Sequence, residues 1–231
     1  MSSAGSLANH ATQRRNPLFN FIYRPAFTRD LQTLGPYYSH TLMNAVLSHS
    51  IRWGRSDPAT KKILDQSYEG GAIFGKHARS MLFDELSQGQ YSIPTVQTLL
   101  LLSAQECSVG NSAQAWIYSG LAFRIIDHLG ICVDGQRYPG SVQLSEEDVE
   151  IRHRVFWSCY FWDKMISLYL GRSPSLQQSS VSPPQIMQPL VSRLTLDSAT
   201  QLTAALHSEE GQDTVTKTHG GEYPFKAYVG H

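Results

Sequence analysis

The sequence predicts an all-α fold, a bundle of about five helices between disordered ends, and three observations carry that expectation. Apolar residues recur at spacings of three and four in several separate stretches, the period of one helix face. Capping residues and helix breakers stand where those stretches begin and end. Nowhere does a six-residue run alternate apolar and polar positions with the Val, Ile and Thr enrichment of a strand, and no repeat of 20 to 50 residues is detectable.

Residues 1–17 are rich in Ser, Asn and Gln without periodicity, the composition of a disordered lead-in. Phe19 to Phe27, FNFIYRPAF, is an aromatic segment ended by a Pro, and it is too apolar to lie in water by itself. It is expected to pack as an arm on the helices after it, with a turn at Gly35-Pro36. Tyr37 to Trp53 is a predicted helix with Leu42, Ala45, Val46 and His49 on one face and Gly54 at its C-cap. Ser56-Asp57-Pro58 then supplies an N-cap and a Pro at the first helical position. The helix it opens is expected to run toward Leu86, with Ile63, Leu64, Tyr68, Ile73, His77, Met81 and Leu82 as core candidates. Gly70, Gly71 and Gly75 each weaken it by about 1 kcal/mol relative to Ala, and mark a kink or a close helix crossing.

Ser92-Ile93-Pro94 opens the next helix. Thr95 to Cys107 is apolar almost all round, with Leu99 to Leu102 in sequence, so this helix belongs at the centre of the bundle. After the break at Gly110-Asn111, Ser112 to Ile131 is amphipathic through Ala115, Tyr118, Ala122, Ile125, Ile126 and Leu129, with Gly130 placed to close it. Asp134 to Val142 is a polar loop. Ser145 then caps a helix whose first turn carries Glu146, Glu147 and Asp148, acids on the positive end of the helix dipole. That helix extends to about Leu170 with Val149, Phe156, Tyr160 and Ile166 along one side, and Gly171 ends it. Ser173 to Pro189 is an extended Ser/Pro/Gln loop. Residues 190–231 form a poorly ordered tail with at most one short helix, near Leu194 to Leu206.

Composition narrows the functional classes. The 231 residues suit one domain, 18–189, and only 16% are charged against the roughly 25% usual for soluble domains, which implies either a small wetted surface or a face meant to be covered. Lys plus Arg and Asp plus Glu each total 19, so no net charge draws the chain to a polyanion or an acidic membrane surface. No apolar run approaches 18 residues, and Met1 to Arg15 lacks the apolar centre of a signal peptide; an intracellular, soluble protein is expected. Cys107, Cys132 and Cys159 are too widely spaced for a zinc module or a disulfide framework, and read as small buried hydrophobes.

Catalytic patterns are missing. Glu150 and His153 share a helix face as a Glu-x-x-His pair, but a di-iron bundle needs the motif twice. The nucleophile elbow, the Walker loop and the dinucleotide fingerprint do not occur. What remains is charge inside apolar helices: Arg124 among Ala122 and Ile125, Asp163 in the aromatic run that begins at Phe156, and Arg152 and Arg154 just before it. Buried charges persist when paired, so one network joining Arg124, Asp163 and one or both of Arg152 and Arg154 is expected. The competing expectation is that each cation reaches water separately.

These residues, in order, resemble a known family. Ala115-Trp116, Ala122-Phe-Arg124 and Leu129-Gly130-Ile131 are followed by Glu150-Ile-Arg152-His-Arg154-Val-Phe156-Trp157, then Asp163, then Leu170-Gly171-Arg172. The series is similar to the fungal-specific transcription factor domain, the middle homology region of fungal zinc-cluster regulators. Phe21-Ile-Tyr-Arg-Pro-Ala-Phe27 and Leu42-Met-Asn-Ala45-Val fit its opening. His153 stands where the family has Arg, and Ser173 where Pro is usual. The resemblance implies a nuclear regulator of transcription, controlling metabolic or biosynthetic genes, with no enzymatic role. The partners it implies are the transcription machinery, a full-length relative and a small-molecule effector. It places zinc and DNA binding in a six-cysteine module that these residues do not contain, so no cofactor and no direct DNA contact are expected of this chain. An isolated regulatory domain or a truncated gene product is expected. A helical ligand-binding or enzymatic protein on the same scaffold, or a non-functional fragment, stays open.

Overall fold

A computed structural model describes residues 21–134, 144–179 and 182–183, all within one compact unit. The expected lead-in over 1–17, the tail over 190–231 and the short helix near Leu194 lie outside the described residues, as does most of the loop from Asp134 to Val142. Among the described residues there are seven α-helices, one 3₁₀ turn and no strand. We number the helices α1 (Arg24–Thr33), α2 (His40–Gly54), α3 (Pro58–Ser67), α4 (Ala72–Ser87), α5 (Ile93–Ser108), α6 (Ser112–His128) and α7 (Glu146–Leu170). None is long and apolar enough to cross a membrane.

Helix α1 corrects the reading of the aromatic arm. Pro25 falls in the first turn, where its missing N–H costs nothing and its fixed φ favours the helix, so it opens α1 and does not end the aromatic segment. Phe21 does pack, edge-on against Trp162. Helix α2 begins at His40, later than Tyr37, because the Ser39 hydroxyl accepts from Leu42 N (3.0 Å). The single helix expected from Pro58 to Leu86 is two. Gly70 and Gly71 take φ of 64° and 94°, and the chain turns through Glu69–Gly71 before α4 starts. Ile63, a core candidate, is half exposed, because α3 buries Leu64 alone.

Helix α5 occupies the centre, as its unbroken apolar surface requires. Every residue from Pro94 to Ser103 is buried. It packs most extensively on α6, while α2 lies against α4 and α5. Helix α7 closes the bundle over α5 and α6, and Leu99, Leu100, Leu102, Ile126, Ile151, Phe156 and Ile166 are each below 2% exposed. At about 25 cal/mol per Å² of apolar surface removed from water, this shared core is the main source of stability.

Candidate functional site

The residues singled out by sequence, Arg124 apart, lie along α7 and at the ends of α6 and α7. At its start, Ser145 and Asp148 form a reciprocal capping box: Asp148 N donates to Ser145 Oγ (3.1 Å), and Ser145 N to Asp148 Oδ2 (3.3 Å). The hydrogen bond from Ser145, then that from Tyr37, holds the Asp148 carboxyl below its ordinary range. Burial first, and then Asp148, pushes the Tyr37 phenol up. Arg29 of α1 reaches Glu147 at 2.6 Å, while Asp30, almost fully buried, accepts from Tyr37 N at 2.8 Å. Acids placed for the helix dipole thus also fasten α1 to α7.

One turn further on, Arg152 donates to the carbonyl of Leu129 at 2.6 Å, where α6 ends. Gly130 adopts φ 64° there, and Ile131 N returns to Ile126 O (2.8 Å) while Gly130 N returns to Asp127 O (3.0 Å). Arg154 pairs with Glu150 at 2.6 Å and lies 5.0 Å from the Tyr23 ring centroid. Glu150 therefore serves Arg154. His153 is buried, and burial lowers its pKa against the raising effect of Asp134 and Glu150. Phe156 is buried against Trp157 and Tyr160.

Asp163 is fully buried, and its partners are not the expected arginines. Its two carboxylate oxygens accept from Ser175 N and Leu176 N, each at 2.9 Å, and Lys164 Nζ lies 2.9 Å away. Lys164 also donates to the Leu176 carbonyl and sits over the Tyr160 ring. Asp163 thus clasps the segment after Gly171, which closes α7 with φ 64° and a return bond from Arg172 N to Ser167 O (2.9 Å). The Arg172 guanidinium covers Trp116 of α6 at 4.8 Å.

The single network is corrected accordingly. Arg124 is exposed on the outer side of α6. Arg152 and Arg154 lie near the start of α7 and Asp163 more than two turns away, since each residue advances a helix by 1.5 Å. Three local arrangements replace one. Sequence reasoning missed the acceptors that decided this, backbone carbonyls and amides at helix ends, which leave no residue-type signature. It also missed a buried polar knot: Trp162 Nε1 donates to Ser103 Oγ and Ser119 Oγ, both at 3.0 Å, and the two hydroxyls are 2.7 Å apart. A buried indole N–H needs an acceptor, and two serines at core positions of α5 and α6 were the available signal.

The cysteines match their reading only in part. Cys159 is fully buried, whereas Cys107 and Cys132 are half-buried. Burial pushes the Cys132 thiol up to about 11, which suppresses its thiolate near neutral pH. Outward on the last turns of α7, Phe161, Met165, Leu168 and Tyr169 leave apolar surface in water, Leu168 at 81% exposed and Tyr169 at 65%. Successive spacings of four and three set Phe161, Met165 and Leu168 on one side of the helix.

With this geometry in place, comparison with known proteins assigns the class. The model of the family described as "Fungal specific transcription factor domain" matches residues 13–203, and the chain belongs to that family. Among its relatives is the nitrogen assimilation transcription factor nirA of Emericella nidulans, 32% identical over 72% of this chain and 18% of that protein. An uncharacterized transcriptional regulatory protein of Schizosaccharomyces pombe is 35% identical over 68% of this chain and 24% of its own length. An activatory protein of Saccharomyces cerevisiae is 28% identical over 71% of this chain and 27% of its own length. The chain thus spans about a quarter or less of these relatives. No solved structure matches it.

Proposed function

We propose that this chain is a regulatory domain of transcription that works in the nucleus through protein contacts, with no catalytic step of its own. The observation that carries the reading is the family match over residues 13–203, together with relatives named as a transcription factor and a transcriptional regulatory protein. The bare apolar side of α7 supports a contact surface for the transcription machinery or a longer relative, because exposed apolar residues grouped on one helix side favour burial against a partner. A neutral chain with 19 residues of each charge sign supports leaving DNA to another module, and zinc with it. Metabolic or biosynthetic genes are the targets the resemblance favours, and a small-molecule effector is the input.

The test is a fusion of this chain to a heterologous DNA-binding domain, read with a reporter gene. A change in reporter output supports the reading, and Leu168→Glu should reduce that change while leaving the circular-dichroism spectrum intact. Output identical to the DNA-binding domain alone, under all nutrient conditions tried, removes it. A gel shift with the chain alone should show no sequence-selective complex.

A further inference from the structure

The chain contains two Ser-Pro dipeptides, Ser173-Pro174 and Ser182-Pro183, and the fold treats them oppositely. Ser173 lies in a run of exposed residues from Gly171 to Ser175, just past the end of α7, in backbone that is neither helix nor strand. Ser182 is 6% exposed, and its hydroxyl is engaged by Ser179, accepting from Ser179 N at 3.0 Å. An accessible serine followed by proline in irregular backbone is what a proline-directed kinase accepts, since such an enzyme must lay the acceptor segment along its own surface. We propose that Ser173 is a phosphoacceptor, that Ser182 is not, and that phosphorylation at Ser173 loosens the Asp163 clasp. In the step, Ser173 Oγ attacks the γ-phosphorus of ATP. The Oγ–P bond forms, the bond from that phosphorus to the β,γ-bridging oxygen breaks, ADP departs with the electron pair, and the hydroxyl proton passes to the kinase's base.

The consequence is one of charge. Two and three residues beyond Ser173, the amides of Ser175 and Leu176 hold a carboxylate that is already fully buried, balanced by Lys164. A phosphoserine adds close to two negative charges beside it and competes for Lys164, and a phosphate placed next to an acid disrupts by repulsion. Arg172 is the one other cation in this segment, and its guanidinium is engaged over Trp116.

The full chain is incubated with ATP and a purified cyclin-dependent-type serine/threonine kinase, and the products are mapped by mass spectrometry. Phosphate on Ser173, with none on Ser182, is expected. Phosphate on Ser182 at an equal or higher rate, or on neither serine, overturns the site. Pro174→Ala keeps the acceptor hydroxyl and should abolish labelling; continued labelling at Ser173 in that variant means proline direction is wrong. Amide hydrogen exchange then reads the clasp. Exchange at Ser175 and Leu176 should be roughly fivefold faster in the phosphorylated chain, the size expected for two added charges about 8 Å from the carboxylate with water-like screening. Unchanged or slower exchange there overturns the loosening.

Discussion

Replacing Asp163 with Ala tests the architecture at its most demanding point. The carboxylate is fully buried and accepts two backbone N–H donors at 2.9 Å and a lysine at the same distance. Hydrogen bonds to a charged group contribute about 1.5–3 kcal/mol each, but Lys164 is a third exposed and regains water when its partner goes. The two amides also lie at a loop and can turn outward, so the loss falls below the sum. About 3 kcal/mol is expected, the lower end for removing one partner of a buried charged pair. For a domain of this size that corresponds to a fall of roughly 6–12 °C in Tm. Urea unfolding followed by far-ultraviolet circular dichroism measures it. Arg124→Ala, at an exposed position, should stay within about 0.5 kcal/mol, and the double variant should be additive. A loss under about 0.5 kcal/mol for Asp163→Ala would refute the clasp, and strong coupling to Arg124 would restore the single network.

Other expectations concern the core, the turns and pH. Trp162→Phe keeps most of the ring packing but removes the N–H shared by Ser103 and Ser119; a cost of about 1–2 kcal/mol in chemical denaturation is expected. Gly71→Ala places a methyl group against the Ile51 side chain at φ 94°, so it should destabilise by more than the roughly 1 kcal/mol such strain costs alone, and an unchanged melting curve would contradict the close approach of the Glu69–Gly71 turn to α2. His153 has a folded pKa below its ordinary 6.5, so the unfolded chain binds more protons as pH drops. Its contribution is complete above pH 6.5 and is lost as pH falls through the folded value. The slope of unfolding free energy against pH just below 6.5 should therefore be shallower in His153→Gln, and equal slopes would place its acid sensitivity elsewhere. Ser145→Ala should cost about 1 kcal/mol through the lost cap, and more if it also releases Asp148 from Tyr37.

Much of the fold was written in local chemistry. The all-round apolar run Leu99 to Leu102 could only be central, and the chain buries it. Ser145 with its three acids, and Gly130 and Gly171 after periodic stretches, marked helix ends that the backbone confirms, because caps depend on neighbours within a turn. The break between α3 and α4 was harder to read. Glycines weaken a helix wherever they stand, and only the structure shows the positive φ at Gly70 and Gly71 and the close approach of Gly71 to Ile51 on another helix. Pro25 is ambiguous in sequence for a related reason: a proline ends one helix or begins another, and the residues packed after it decide which.

Helices α2, α5, α6 and α7, their order and the low overall charge were legible in the sequence alone, since periodicity, capping and charge count are properties of neighbours along the chain. Which charges meet was decided only in three dimensions. Asp163 found the amides of Ser175 and Leu176, Arg152 a carbonyl at the end of α6, and Arg124 water. Every residue here carries a backbone acceptor and all but the prolines a backbone donor, so no pattern of side chains announces which of them a buried charge will reach.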